Sequence, residues 1–414
     1  MLGFAPSNLQ ATSGMNAMGG TVPVPYDLLD EFITADASPV TSPRTAEPDP
    51  GTLTLVVTDG TFAIAGADLD FTAQSTPVWG DHGFHAGAVT RVVGTLLMID
   101  INLSTWEECG LGWHTAAAVV DPDSAEHAIQ ANTTDGRLDL QDGVQIYAGL
   151  STSTAYKLAI VLRTTGAFYY LHDGTDWVLM YVWGASGATA TLYPMFANLD
   201  GAGTLDNLRV LSLPYTPTPL AYDTFTRDDS DSLGSTETTG PDGQGCIARA
   251  WTESNGDWDI SSNAMVPAGS SPGGAGWLVS HDVGEADAYC EMSFNLPAGA
   301  NTAGMLARYI DNDNLWQPQA KQSTSAFSLW ERTSGSWGQR ASTTATVTAD
   351  TTQTIKWTAT GDVHKCWLND GDYLTYTDSS SNTGTGYGCR HSGTSVKTED
   401  ITVWPVNPPD FPSV

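Results

Sequence analysis

Residues Leu213 to Gly234 read LPYTPTPLAYDTFTRDDSDSLG. Three prolines in seven residues shorten the list of conformations open to a spacer, and directly after them Tyr222-Asp223 echoes Tyr26-Asp27. Working outward from this seam, the echo continues. TDGTFAIA (58 to 65) returns 196 residues later as SNGDWDIS (254 to 261), and TTGAFYYLHDG returns at an offset of 197 as TGDVHKCWLNDG. The closing segments LDNLRV and TEDITV align Val210 with Val403, at 193. Matches in the same order at nearly constant offset predict one fold written twice.

Each copy is predicted to be all-β. Alternating apolar and polar residues mark TLTLVV (52 to 57), YKLAIVLR (156 to 163) and WVLMYVW (177 to 183), and Asp-Gly pairs between such runs supply the positive φ of tight hairpin turns. The segment Glu285 to Leu296, EADAYCEMSFNL, is the clearest strand. Ala286, Ala288, Cys290, Met292, Phe294 and Leu296 fall on its core face, and Glu285, Asp287, Tyr289, Glu291, Ser293 and Asn295 on a face expected to meet solvent. A single short helix is expected near Asp123 to Ala131. First and last segments of each copy carry related patterns, so terminal strands are expected to pair side by side, as in jelly rolls. The expected organisation is an N-terminal arm (1–25), a first jelly-roll sandwich (26–214), a proline-rich linker (215–221), a second sandwich (222–406) and a tail (407–414). The pair is expected to form a short rod or a bent tandem.

Composition narrows the function classes. The 414 residues carry 47 acidic side chains against 16 basic ones, a net charge of −31. Such a surface repels phosphates and anionic membranes, so nucleic-acid binding and membrane insertion are not expected. No apolar run approaches the roughly 20 residues of a membrane-spanning helix. The start, MLGFAPSNLQATSGMNAMGG, lacks the basic region of a signal peptide, so export by that route is not expected. Five cysteines with no CxxC pair fit reduced thiols better than a disulfide framework. Residues 1 to 26 carry no charged side chain; Leu2, Phe4, Met15 and Met18 are the apolar positions through which this arm would anchor to other subunits, the alternative being a loose tail.

Chemistry-bearing patterns are sparse. Glu285, Asp287 and Glu291 resemble the strand motif of a sandwich glycosidase family, yet Glu285 and Glu291 lie roughly 20 Å apart along a strand rising about 3.3 Å per residue, far beyond the spacing of a retaining pair. Gly269-Ser270-Ser271-Pro272-Gly273 satisfies GxSxG but lies in a loop with no helix after it. His82 and His85 lack a third ligand nearby in sequence. Acidic turns offer hard oxygen ligands suited to Ca²⁺: Asp228 and Asp231, Asp311 and Asp313, and Asp223 with Asp400 where the second module's ends meet. The other reading of these turns is that they face water. Trp316, Trp330 and Trp337, near predicted hairpin tips, are candidates for stacking on a sugar ring, against the alternative of core packing.

The opening MLGFAP, the entry LLDEFITADASPVTSPRTAEPDPGTLTLVVTDGTFAIAG and the seam PTPLAYDTFTRDDSDSLGSTETTGPDGQGCIARAWT resemble a domain pair that recurs in structural proteins of tailed bacteriophages and prophages. The second module, with LARYIDNDNLW, is similar to laminin-G or concanavalin-like jelly rolls more widely. The resemblance implies a non-enzymatic virion component on a tail, baseplate or capsid surface. The reduced cysteines and the start without a signal peptide suit manufacture in the host cytoplasm. Symmetric appendages form closed rings, so assembly with copies of itself and other virion proteins is expected. No cofactor is expected to be required, and the tryptophans are the expected route of any contact with host glycans. A carbohydrate-binding adhesin outside a virion is the alternative expectation, and a glycoside hydrolase of the concanavalin-like class the third.

Overall fold

The computed structural model describes residues 28–30, 44–45, 54–59, 62–65, 68–72, 78–104, 108–132, 135–172, 174–184, 187–211, 216–270, 272, 276–299, 302–378 and 382–407. Leu2, Phe4, Met15 and Met18 lie outside the described residues.

The chain forms two tandem antiparallel β-sandwiches of the jelly-roll class, each of two sheets. One sheet of the first sandwich runs in the order Trp177–Trp183, Ala167–His172, Ala155–Leu162, Leu96–Leu103, Gly203–Leu211, Asp68–Phe71, Phe62–Ala65. Its counterpart in the second runs Asp372–Thr377, Val363–Leu368, Thr352–Thr360, Ala288–Asn295, Lys397–Pro405, Met265–Ala268, Asp257–Ile260. These orders correspond strand for strand. The opposing sheets correspond too: Gln145–Tyr147, Arg137–Leu140, His127–Asn132, Glu108–His114, Thr191–Asn198, Gly83–His85, Thr54–Asp59 in the first, and Ser336–Thr344, Ala326–Thr333, Asn314–Lys321, Thr302–Asp311, Gly386–His391, Trp277–Asp282, Thr252–Asn255 in the second. The chain is therefore a duplication. Residues at the sequence offset of 196 do the same work, since Phe62 and Trp258, and Ile64 and Ile260, all face the cores of their modules. Terminal strands do pair within each module, Leu28 opposite Val210 and Ala221 opposite Val403.

Aromatic contacts across the gap between sheets hold each sandwich closed. In the first, Phe62 and Phe71 of one sheet meet Phe84 and Phe196 of the other, with ring centroids 5.6–6.5 Å apart. In the second, Trp316 packs on His364 at 4.1 Å and Trp357 on Tyr387 at 5.9 Å. An aromatic pair adds about 0.5–1.5 kcal/mol beyond the area it buries.

Two expectations need correction. The segment 123–131 is not helical. Asp121 accepts the Asp123 N–H and caps a single 3-10 turn at Pro122–Ser124, and His127–Asn132 then forms a wholly buried strand between two others. Pairing on both sides outweighs the weak helical pattern. Second, the face of Ala288–Asn295 opposite the core is not wet along its length, because Tyr289 is fully buried. The reason is that the two modules pack face to face. Tyr181 meets Trp367 at 5.2 Å and Tyr289 at 6.2 Å, and Phe168 meets Trp404 edge-on at 4.8 Å. The Leu179 N–H donates to the Val406 carbonyl at 2.7 Å, and the first module's apolar core runs on into Tyr289, Trp367, Trp404 and Val406. The spacer thus joins two bodies that already share an apolar interface.

Ion pairs close the rim of that interface. Lys356, 3% exposed, reaches across to donate to the Val182 carbonyl at 3.0 Å and pairs with Asp370 at 2.6 Å, with its ammonium 4.4 Å from the Tyr181 ring centroid. Lining the same cleft as Lys356, Arg163 binds Asp242 at 2.9 Å. Burying a lysine is tolerable only with such partners, because an unpaired charge here would cost several kcal/mol.

Candidate functional site

The second module's outer sheet, the one that contains Asn314–Lys321 and lies away from the first module, turns a second set of side chains outward. Alternation sends Trp316 and Ala320 into the core and Leu315, Gln317 and Gln319 to the opposite face. On that face Leu278, Leu306 and Leu315 are fully buried, covered by half-buried Tyr309 and Trp337. Strand register then builds rows across the sheet. Leu315 faces Arg332, which faces Trp337; Gln317 faces Trp330, which faces Gln339; Gln319 faces Ser328.

These rows are linked by hydrogen bonds. Arg390 Nη1 donates to Gln317 Oε1 at 3.3 Å, and Gln317 Nε2 donates to Gln319 Oε1 at 3.2 Å. Gln319 Nε2 reaches Ser328 Oγ at 3.5 Å, and the Trp330 indole N–H donates to the same hydroxyl at 2.9 Å. Gly304 permits the arrangement, since a Cβ there would lie 2.2 Å from Gln317 Nε2. Beside this chain the guanidiniums of Arg390 and Arg332 stand 5.0 and 5.5 Å from the Trp337 ring centroid. Burial, and then the neighbouring Arg332, lowers Arg390 to about 10. Arg332 is steadied by Asp313 at 3.2 Å and by its donation to the Gly335 carbonyl. The result is a fixed floor of amides, hydroxyl and guanidinium with two half-exposed indoles. Gln317 is fully buried and Ser328 is 5% exposed, so they fix from beneath the partly exposed Gln319, Arg390, Trp330 and Trp337. A sugar ring presents hydroxyls at its edge and C–H groups on its faces, and the partly exposed amide, guanidiniums and indoles offer partners for both.

The tryptophan candidates separate. Trp330 and Trp337 belong to this face and retain exposure. Trp316 is withdrawn as a glycan contact because it is fully buried against His364 and Tyr376. Sequence reasoning missed Arg390, Gln317, Gln319, Ser328 and Arg332, which the fold gathers from strands up to 73 residues apart.

The calcium candidates lie in different surroundings. Asp223 is fully buried, and it accepts bonds from the Phe225 N–H, both Arg227 Nη atoms and the Trp251 indole at 2.7–3.0 Å. It is a structural lock, with its oxygens engaged. Asp400 is its neighbour in the strand pairing but projects from the opposite face, since Asp223 pairs with Ile401. Asp311 accepts the Asp313 N–H and the Asn314 amide at its turn, Asp313 pairs with Arg332, and Asp228 and Asp231 are exposed. Among the described residues, no group of three or more His, Cys, Asp or Glu side chains is placed to hold a metal ion.

Of the glycosidase-like carboxylates, Asp287 is taken by Arg308 and by the Gly361 N–H. Glu291 stands elsewhere, in a cleft of about 270 Å³ between the modules with Lys356, Asp370 and Asp400. Burial, and then Glu291, push the Asp400 carboxyl up to about 6.

No family model matches the chain, and no curated protein matches it. Solved structures similar to it include the carbohydrate-binding module CBM66 from Bacillus subtilis, 15% identical over 38% of this chain and 92% of that one, with a TM-score of 0.30. The galectin LEC-6 of Caenorhabditis elegans is 11% identical over 29% of this chain and 83% of that one, with a TM-score of 0.25. A mutant of the GH43 protein BlXynB from Bacillus licheniformis is 12% identical over 93% of this chain and 99% of that one, with a TM-score of 0.28. Two GH43 BlXynB structures from Bacillus licheniformis correspond to more than nine-tenths of this chain, against the expectation that the chain is not an enzyme. That expectation is withdrawn. At these identities and scores the likenesses carry no residue roles to this chain.

Proposed function

We propose that the chain is a glycan-binding protein whose binding face is the outer sheet of the second module. One observation carries the reading: Trp330 and Trp337 stay half-exposed beside a row of amide, hydroxyl and guanidinium groups already fixed by mutual hydrogen bonds. A prearranged polar floor loses little side-chain entropy on binding, and the indoles supply apolar area at low cost. Buried Gln317 and Ser328 hold the partly exposed Arg390 guanidinium and Gln319 amide in fixed orientations, which favours a ligand with hydroxyls at set spacings over a flexible peptide. The setting belongs to the same proposal and rests on the sequence resemblance alone: display on a bacteriophage virion, as an oligomer, with the uncharged arm as anchor.

Binding to an immobilised glycan library tests the reading. Trp330→Ala and Trp337→Ala each remove one indole from the surface and are expected to lower affinity about tenfold, in the range of losses at interface aromatics, with the module still folded at the assay temperature although Trp337→Ala uncovers Leu278, Leu306 and Leu315. Wild-type affinity retained by both variants would count against this face.

A further inference from the structure

On the same outward face, three strands from Trp330, lies a pocket of about 520 Å³. Thr252, Ser254, Ser280, Asp282 and Thr385 supply its polar lining, and Tyr309 forms one wall. Register places it in line with the indoles, because Asp282 faces Gly386, Gly386 faces Tyr309, and Tyr309 rests on the same leucines that carry Trp337. Two glycines shape it. A Cβ at Gly386 would come within 3.0 Å of the Tyr309 ring, and one at Gly384 within 2.4 Å of the Arg308 carbonyl oxygen. Ile310, 56% exposed, forms an apolar lip.

Its chemistry differs from that of the neighbouring floor. Among the described residues its lining holds no lysine or arginine. The Thr385 hydroxyl, and then the Gly284 N–H at 2.9 Å, hold the Asp282 carboxyl below its ordinary range, so the pocket contains a standing carboxylate acceptor among hydroxyls. Hydroxyl groups of a ligand would find an acceptor there. A ligand carboxylate would meet the Asp282 charge, while Arg249, a cation that acts on Asp282, lies outside the lining with its guanidinium donating to the Leu220 and Val283 carbonyls. The two guanidiniums beside Trp337 lie on the other side of Tyr309.

We infer that this pocket receives the terminal unit of an oligosaccharide whose following units lie over Trp337 and Trp330, and that this terminal unit carries no carboxylate. The inference rests on the glycan-binding reading and adds to it a direction, a minimum length of more than one unit, and a charge rule. The pocket volume falls within the range of small-ligand sites, about 300–1,000 Å³.

Calorimetric titration of the full chain with one- to six-unit oligosaccharides of glucose, galactose and N-acetylglucosamine, beside an oligouronate ladder, tests it. For the ladder that binds, affinity is expected to rise about tenfold from one unit to the longer members, the worth of added charge-assisted hydrogen bonds, and the oligouronates are expected to bind more weakly. Asp282→Asn keeps an oxygen for the Gly284 N–H and preserves the turn; it is expected to flatten the length dependence and relax the discrimination against uronates. Ile310→Glu, at an exposed position, is expected to flatten the length dependence by altering the apolar lip, and to sharpen rather than relax the discrimination against uronates, because it adds a second carboxylate beside Asp282. If oligosaccharides bind, depend on Trp330, and keep their length and charge dependence in both variants, the pocket assignment fails while the glycan reading stands. If no member of the panel binds the wild-type chain, the glycan reading itself fails, and the assignment with it.

Discussion

Acid should destabilise the second module through histidines that the fold keeps neutral. His364 is fully buried between Trp316 at 4.1 Å and Trp357 at 5.7 Å, and neither ring nitrogen has a hydrogen-bond partner. Burial, and then the charge of Arg308, push it from its ordinary 6.5 down to about 3. Through the window from pH 6.5 to 3 the unfolded chain therefore binds a proton that the folded chain does not, and stability falls as pH falls. At pH 5 the ordinary value lies 1.5 units above the solution pH, which at 1.36 kcal/mol per unit amounts to about 2 kcal/mol for this one ring. His281, also without a partner on either nitrogen, and His391 are pushed to about 3 as well, chiefly by burial, and act in the same direction. Asp400, raised to about 6, opposes them, because its folded form takes up a proton before the unfolded form does. The assay is urea unfolding followed by tryptophan fluorescence at pH 7 and pH 5, comparing wild type with His364→Phe. Phenylalanine keeps the stacking on Trp316 and removes the titrating nitrogens, and the difference between the chains cancels the contribution of Asp400. The variant is expected to lose about 2 kcal/mol less than wild type between the two pH values. His364→Asn, smaller than the imidazole, repeats the comparison if phenylalanine overfills the site. Equal losses in wild type and both variants would refute the reasoning.

Lys356→Ala should separate the modules. It leaves Asp370, 21% exposed, with the Tyr181 hydroxyl as its remaining donor and removes the bond to the Val182 carbonyl, so a loss of about 2–3 kcal/mol is expected, below that of deleting one member of a wholly buried pair. Small-angle scattering should show a larger radius of gyration, and unchanged dimensions with unchanged stability would show that the aromatic contacts suffice alone. On the proposed virion setting, deleting residues 1–25 should abolish incorporation into particles while both modules still fold; normal incorporation of the shortened chain would remove the anchoring role from the arm.

Much of the architecture was legible in the sequence because core positions recur at fixed offsets. Phe62 and Trp258 differ in identity, but each fills the same place in its module, and Val210 and Val403 close the same strand pairing. The outward face of the Ala288–Asn295 strand was misread for a different reason. Alternation reports which residues share a face, not what covers it, and here a second module covers Tyr289. Trp316 shows the same limit. Leu315 and Trp316 are both apolar and both fully buried, one beneath the outer layer and one in the core, so local pattern alone does not say which indole reaches the surface. Arg390 and Gln317 gave no local signal, since the site exists only after strands distant in sequence pair around Gly304.

The side-by-side pairing of each module's terminal strands means that the chain enters and leaves each sandwich at one place. Such a unit can be inserted, repeated or removed with little change to the path of the chain on either side, which makes duplication geometrically cheap. The packed junction runs against that freedom. Once Tyr181 and Lys356 had joined the two copies, neither could be exchanged for a fresh one without exposing its partner's covered face. The first copy gives the second a fixed orientation, and so leaves the sheet bearing Trp330 and Trp337 as the one that faces away from it.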